Sequence, residues 1–133
     1  MGQRLTILFV EDDPDVRAIL PDYLPEDQFR TLIADSSFEA IRLLAEKHVD
    51  LMITDLVMPG VGGRDLAEQA RLLCPDLRIM FMTGYYADGL EAEKIGRVLF
   101  KPVRPEQMET AIRQYLFGAP EAFSQDSPVK PPP

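Results

Sequence analysis

The chain has 133 residues, the length of one ordinary domain, and its 14 Lys+Arg against 22 Asp+Glu leave a net charge of −8, which excludes the basic footprint of a nucleic-acid binder. Apolar residues are 46% and charged residues 27%, a globular balance that excludes wholesale disorder. One cysteine excludes an internal disulfide framework, no apolar run approaches the roughly 20 residues of a membrane helix, and the N-terminus reaches Glu11-Asp12-Asp13 without signal-peptide form, so a soluble cytoplasmic protein is expected.

Leu5–Val10 is a short apolar run, the pattern of a strand buried on both faces. Asp13-Pro14 then reads as a helix N-cap followed by proline at the first helical position. Val16, Ile19, Leu20 and Tyr23 recur at helical spacing, and Pro21 and Pro25 should kink or end that helix. Phe29–Ala34 is the second strand. Ser36-x-x-Glu39 forms a capping-box pattern ahead of a helix whose stripe is Phe38, Ile41 and Leu44. His48, at its end, reads as a solvated surface residue.

Leu51–Thr54 is the third strand. Gly60, Gly62 and Gly63 suggest a flexible loop beyond it, before a helix marked by Leu66, Ala70 and Leu73. Cys74, near that helix end, reads as buried or half-buried rather than redox-active. Ile79–Met82 is the fourth strand, and Tyr85–Ile95 is a short helix interrupted by Gly89. Val98–Phe100 is the fifth strand. Pro105 suits the first turn of the last helix, whose face is Met108, Ala111, Ile112 and Tyr115. From Gly118 the periodicity stops, and Pro120, Pro128 and Pro131 to Pro133 mark residues 118–133 as a Pro-rich tail or linker after a domain spanning 4–117.

Five strand–helix units predict an α/β domain: a doubly wound, five-stranded parallel sheet with helices on both faces. Its polar residues gather at the carboxyl ends of the strands, where such sheets bind ligands. Glu11 and Asp12 follow the first strand, Asp55 the third, Thr83 the fourth and Lys101 the fifth. In the flavodoxin-like order 2-1-3-4-5, Glu11, Asp12 and Asp55 converge. Three carboxylates together repel one another unless a cation neutralises them, and hard oxygen ligands suit Mg²⁺, or Mn²⁺. A lysine and a threonine hydroxyl opposite can hold phosphoryl oxygens, and one acid can serve as nucleophile.

In this order, Ile7-Leu8-Phe9-Val10-Glu11-Asp12-Asp13-Pro14, Asp50 through Gly60, Met82-Thr83-Gly84 and Phe100-Lys101-Pro102 resemble the response-regulator receiver domain of two-component signalling. The resemblance covers about residues 4–117. It implies that Asp55 is the phosphoacceptor, taking a phosphoryl group from a phosphohistidine on a sensor histidine kinase or a histidine phosphotransfer protein. It implies Asp12 as a direct Mg²⁺ ligand, Glu11 as a second acid acting through water, and the Val57 backbone carbonyl as a further ligand. Lys101 would pair with the phosphoryl group, and its bond to Pro102 would be cis. The Thr83 hydroxyl would swing onto the phosphoryl group and the Gly84 N–H would bond it. The chain would then be a switch that catalyses only its own phosphorylation and dephosphorylation. It would carry no output domain and would act by binding a downstream protein, by relay or as a phosphate sink.

Three positions depart from the usual pattern. Val98 holds the switch position on the fifth strand, which is usually aromatic, so the usual threonine–aromatic coupling lacks its partner there. Val57 cannot hydrogen-bond a hydrolytic water, which implies a long-lived phosphoryl group. Arg104 replaces the usual good cap of the last helix. Asp13 is read as a cap only. Two other functions stay open: a receiver fold used as a phosphorylation-independent binding module, and a Mg²⁺-dependent aspartyl-phosphate phosphatase of the haloacid-dehalogenase type. The second lacks the usual acid two residues after its nucleophile, where Val57 stands.

Overall fold

The computed structural model describes residues 4–118, and each apolar run becomes a strand. These are β1 (Leu5–Val10), β2 (Phe29–Ala34), β3 (Leu51–Asp55), β4 (Arg78–Thr83) and β5 (Arg97–Phe100). They alternate with α1 (Pro14–Ile19), α2 (Ser37–Glu46), α3 (Gly63–Leu73), α4 (Tyr86–Ala92) and α5 (Pro105–Phe117). All ladders are parallel, in the order β2-β1-β3-β4-β5, as the five-unit pattern predicts.

Side chains alternate across the central strand. Ile7 and Phe9 pack in a cluster with Leu20, Leu24, Met108, Ala111 and Ile112. Leu8 and Val10 pack with Ala40, Leu43, Leu66, Ala67 and Ala70 on the other face. Helices α1 and α5 therefore cover one side of the sheet and α2, α3 and α4 the other. Ile7, Leu8, Phe9 and Val10 are all fully buried. At about 1.5–3 kcal/mol for each such side chain, β1 is anchored firmly enough to hold a buried acid at its end, whose own burial opposes folding by several kcal/mol.

Local signals explain the helix limits. The Asp13 carboxylate accepts the Asp15 N–H at 2.9 Å and Pro14 opens α1. Pro21 offers no N–H to continue the ladder, so α1 ends at Ile19 and a 3-10 turn follows over Leu20–Asp22. Ser36 caps α2 by accepting the Glu39 N–H at 3.2 Å, but Glu39 accepts from Asp35 N–H at 3.0 Å rather than from Ser36. Only half of the expected capping box forms. At α5, Arg104 has no acceptor to offer; instead Gln107 Oε1 accepts the Arg104 N–H at 2.8 Å. Gly118 closes α5 with φ of 76°, a conformation that favours glycine.

Three predicted core positions lie outside the core. Ile19 is 50% exposed at the end of α1. Phe38 is 82% exposed, and α2 turns Ser37, Ala40, Leu43 and Leu44 inward instead. Leu73 is 45% exposed at the end of α3, whose inner face is Leu66, Ala67 and Ala70. His48 is exposed beside Asp50 at 2.9 Å, and Cys74 is half-buried, both as expected. No helix among the described residues is long and apolar enough to cross a membrane. The Pro-rich segment expected over 118–133 lies outside the described residues, apart from Gly118.

Candidate functional site

Parallel pairing brings the ends of β1, β3, β4 and β5 to one edge of the sheet. The ladder continues one residue past β1, where Glu11 N–H donates to the Ala34 carbonyl at 3.0 Å. It also runs through Asp55 and Thr83, which are the last residues of β3 and β4 rather than the first residues of their loops. Leu56 N–H donates to Met82 O at 2.9 Å, and Lys101 N–H donates to Thr83 O at 2.8 Å. The strand ladders thus place Glu11, Asp55, Thr83 and Lys101 at one edge of the sheet.

Glu11 is fully buried. Its Oε2 accepts the Asp13 N–H at 3.1 Å and its Oε1 accepts from Lys101 Nζ at 2.9 Å. The same Nζ donates to Asp55 Oδ2 at 3.1 Å, so Lys101 bridges two acids from neighbouring strands. Glu11, Asp12 and Asp55 each offer a carboxylate oxygen, all within 4.8 Å of one another. Three acids face one ammonium. Burial and the nearby Glu11 carboxylate raise the Asp55 pKa from 3.8 to about 6, while Lys101 pulls it the other way. Burial alone would lower the Lys101 pKa, but its bonds to Glu11 and Asp55 outweigh that and raise it.

The donor set fits a small divalent cation. All three groups are hard oxygens at one point, and burial together with the Glu11 carboxylate already disfavours the ionised form of Asp55, which a bound cation would favour. Among the described residues the Asp12 carboxylate, half-buried, takes no hydrogen bond or ion pair. It is the group with coordination capacity to spare.

The other predicted residues take distinct places. Thr83 is fully buried, and its hydroxyl oxygen accepts the Tyr85 N–H at 3.0 Å, which leaves the hydroxyl proton free to donate. Gly84 follows it and is exposed. Val57 is 45% exposed, two residues beyond Asp55. The Lys101–Pro102 bond is cis, as the resemblance implied. Val98 does not reach the site; it is buried on β5, paired in register with Phe81.

Sequence reasoning missed three supporting residues. The first is Gly63. Its N–H donates to Leu56 O at 2.9 Å, and a Cβ there would lie 2.4 Å from the Asp55 carbonyl oxygen. Gly63, and Gly62 with its would-be Cβ 3.0 Å from Leu56 O, therefore serve close approach of the chain to the strand end, whereas Gly60 has open space around it and a φ of 77°. The second is Phe100, which pairs in register with Thr83 and stacks on Tyr86 with ring centroids 5.5 Å apart. An aromatic does lie beside the threonine, but two residues after Val98, and its position directly before Lys101 was the available signal. The third is Arg17, whose Nη1 donates to the carbonyls of Glu11 and Asp12 at 3.1 and 2.8 Å. Its signal was an arginine one helical turn past the Asp13 cap.

This geometry has relatives. The CpdR response regulator receiver protein of Brucella abortus is 35% identical over 117 residues, covering 85% of this chain and 98% of that protein. The sensor kinase CckA of the same organism is 31% identical over 84% of this chain, which spans only 12% of the kinase. Response regulator TrrA of Thermotoga maritima, solved with Mg²⁺ and BeF, superposes with a TM-score of 0.73 at 26% identity, over 84% of this chain and 99% of that one. Residues 7–113 match the family model of the response regulator receiver domain. With that match spanning the sheet, the acidic cluster and the strand-end lysine together, the chain belongs to the response regulator receiver domain family.

Proposed function

We propose that this receiver domain is a phosphoryl-accepting switch in a two-component or phosphorelay system, with Asp55 as acceptor. The observation that carries the reading is the Lys101 bridge: one ammonium 2.9 Å from Glu11 and 3.1 Å from Asp55, beside an Asp12 carboxylate that has no partner among the described residues. A structural ion pair needs no third acid at the same point. A phosphoryl site does, because it must also hold a cation.

Asp55 would attack the phosphorus of a phosphohistidine on a sensor histidine kinase or a histidine phosphotransfer protein. Its carboxylate oxygen forms the new O–P bond as the N–P bond breaks, and the electron pair leaves with the imidazole. The pKa of about 6 leaves the carboxylate mostly ionised at neutral pH and hence nucleophilic. Glu11, Asp12, Asp55 and the Val57 carbonyl would hold Mg²⁺, or Mn²⁺; the similar TrrA was solved in complex with Mg²⁺ and BeF. When bound, the cation supplies charge neutralisation for the incoming phosphoryl oxygens.

Lys101 supplies a second positive charge on the other side. Its three donors let it keep Glu11 while taking a phosphoryl oxygen in exchange for Asp55. The Gly84 N–H adds a neutral donor. Thr83 O–H donates once the phosphoryl group arrives, and in turning it surrenders the Tyr85 N–H at the start of α4. That is a two-state element biased by one new group, and the output would be a changed α4 surface read by a downstream protein. Outside its own phosphorylation and dephosphorylation the site performs no turnover.

The test is intact-mass analysis after incubation with acetyl phosphate. The reading predicts one phosphoryl adduct that requires Mg²⁺ and is absent from Asp55→Asn. Steady hydrolysis of small phosphate esters, or partner binding unaffected by Asp55→Asn in a chain that takes no adduct, would contradict it.

A further inference from the structure

The loop between β1 and α1 must hold two adjacent acids in place against their own repulsion. The two are held differently. The Glu11 carboxylate is tied at both oxygens, by Asp13 N–H and Lys101 Nζ. The Asp12 carboxylate is tied by nothing among the described residues, so its aim depends on its backbone. That backbone is gripped from below. Arg17 Nη1 donates to the Asp12 carbonyl at 2.8 Å and to the Glu11 carbonyl at 3.1 Å. Arg17 is itself fixed in α1, its N–H donating to Asp13 O at 3.0 Å, and it is half-buried.

We propose that Arg17 is a positioning residue of the cation site, bridging two consecutive carbonyls so that the Asp12 carboxylate is aimed before the cation arrives. The inference rests on the phosphoacceptor reading of the site. One nitrogen of a planar guanidinium presents two hydrogens in a fixed fork, which suits two adjacent carbonyls; a lysine ammonium is a rotating point charge on a different stem. Groups that orient metal ligands without touching the metal typically set affinity by about 10–100-fold.

Charge makes the inference sharp. A guanidinium near a cation site repels the cation. If Arg17 acted only through its field, removing its charge would tighten cation binding. If it positions the loop, removing it weakens binding. The two roles have opposite signs.

The experiment is a Mg²⁺ titration of the unphosphorylated full chain by calorimetry, for wild type, Arg17→Met and Arg17→Lys, with metal-free thermal melts alongside. Arg17→Met keeps the aliphatic stem, and Arg17→Lys keeps the charge should the first variant fail to fold. The expected result is Mg²⁺ binding at least about tenfold weaker in Arg17→Met and severalfold weaker in Arg17→Lys. Tighter binding in Arg17→Met, or affinities within twofold of wild type with only the metal-free melting temperature lowered, overturns the proposal: Arg17 is then a field or a purely structural contact. A wild-type chain that binds no Mg²⁺ overturns the functional reading and this inference together, whereas wild-type binding with unaltered variants overturns this inference alone.

Discussion

Replacing Asp55 by Asn should stabilise the metal-free chain, by an amount the electrostatics of the site sets. Asp55 is 7% exposed, and burial together with Glu11 raises its pKa from 3.8 to about 6. One pKa unit corresponds to about 1.4 kcal/mol between protonation states, so an ionised Asp55 opposes folding by about 3 kcal/mol. The folded pKa lies above the unfolded one, so the folded chain binds more protons between about pH 4 and pH 6. The penalty is therefore absent below that window, grows as pH rises through it, and is complete above it. Asn is neutral and of the same shape, and its amide oxygen can still accept from Lys101. For a domain of this size the gain near pH 7.5 should be about 10 °C in melting temperature. Circular dichroism melts in EDTA, at about pH 7.5 and about pH 4, would show the gap at the first pH and its disappearance at the second. Added Mg²⁺ should then narrow the gap near pH 7.5, because binding stabilises the chain that binds. Equal melting temperatures near pH 7.5, or a lower one for the variant, would refute the reasoning that burial and the Glu11 carboxylate penalise an ionised Asp55 by more than Lys101 offsets.

Three further perturbations follow from the same geometry. Gly63→Ala would place a Cβ 2.4 Å from Asp55 O and 3.0 Å from Leu56 Cα, both backbone atoms. It should lower stability by about 1–3 kcal/mol, measured as a urea midpoint, and weaken Mg²⁺ binding by shifting the end of β3. Thr83→Val removes the acceptor that holds the Tyr85 N–H at 3.0 Å. That amide should exchange with solvent faster in the valine variant and stay near wild type in Thr83→Ser, read by hydrogen exchange. Val57, 45% exposed beside the proposed acceptor, offers no hydrogen bond to an attacking water. Val57→Asn should shorten the lifetime of the acyl phosphate, measured as its decay after removal of the donor; an unchanged rate would contradict that role.

The strands were legible because a strand buried on both faces writes its burial directly into a run of apolar residues, as Ile7 to Val10 and Leu51 to Ile53 do. Their ends were less legible. Asp55 and Thr83 are polar, yet they continue the ladder, since backbone pairing is indifferent to the side chain at the last position. Phe38 was misplaced because a large apolar residue outweighs a small one in a periodic pattern; the face that packs is set by Ala40, Leu43 and Leu44. The acidic cluster and Lys101 could be assembled from sequence because strand order alone carries them to one edge. What supports them could not. Arg17 looks like any solvated helix arginine until the loop folds back over it. Gly63 looks like flexibility until α3 is seen to press on the Asp55 carbonyl. Phe100 became visible as the neighbour of Thr83 only through the register of β4 and β5.

Asp55, among the acids gathered at this edge, is the proposed carrier of the phosphoryl group. After phosphorylation from acetyl phosphate with Mg²⁺, borohydride reduces an acyl phosphate to the alcohol, which leaves homoserine at the modified aspartate. Peptide mass spectrometry then locates it. Homoserine is expected at position 55 and nowhere else, dependent on Mg²⁺. Homoserine at position 12, a phosphoryl group retained on His48, or an unmodified Asp55 in a chain that carries the adduct would contradict it.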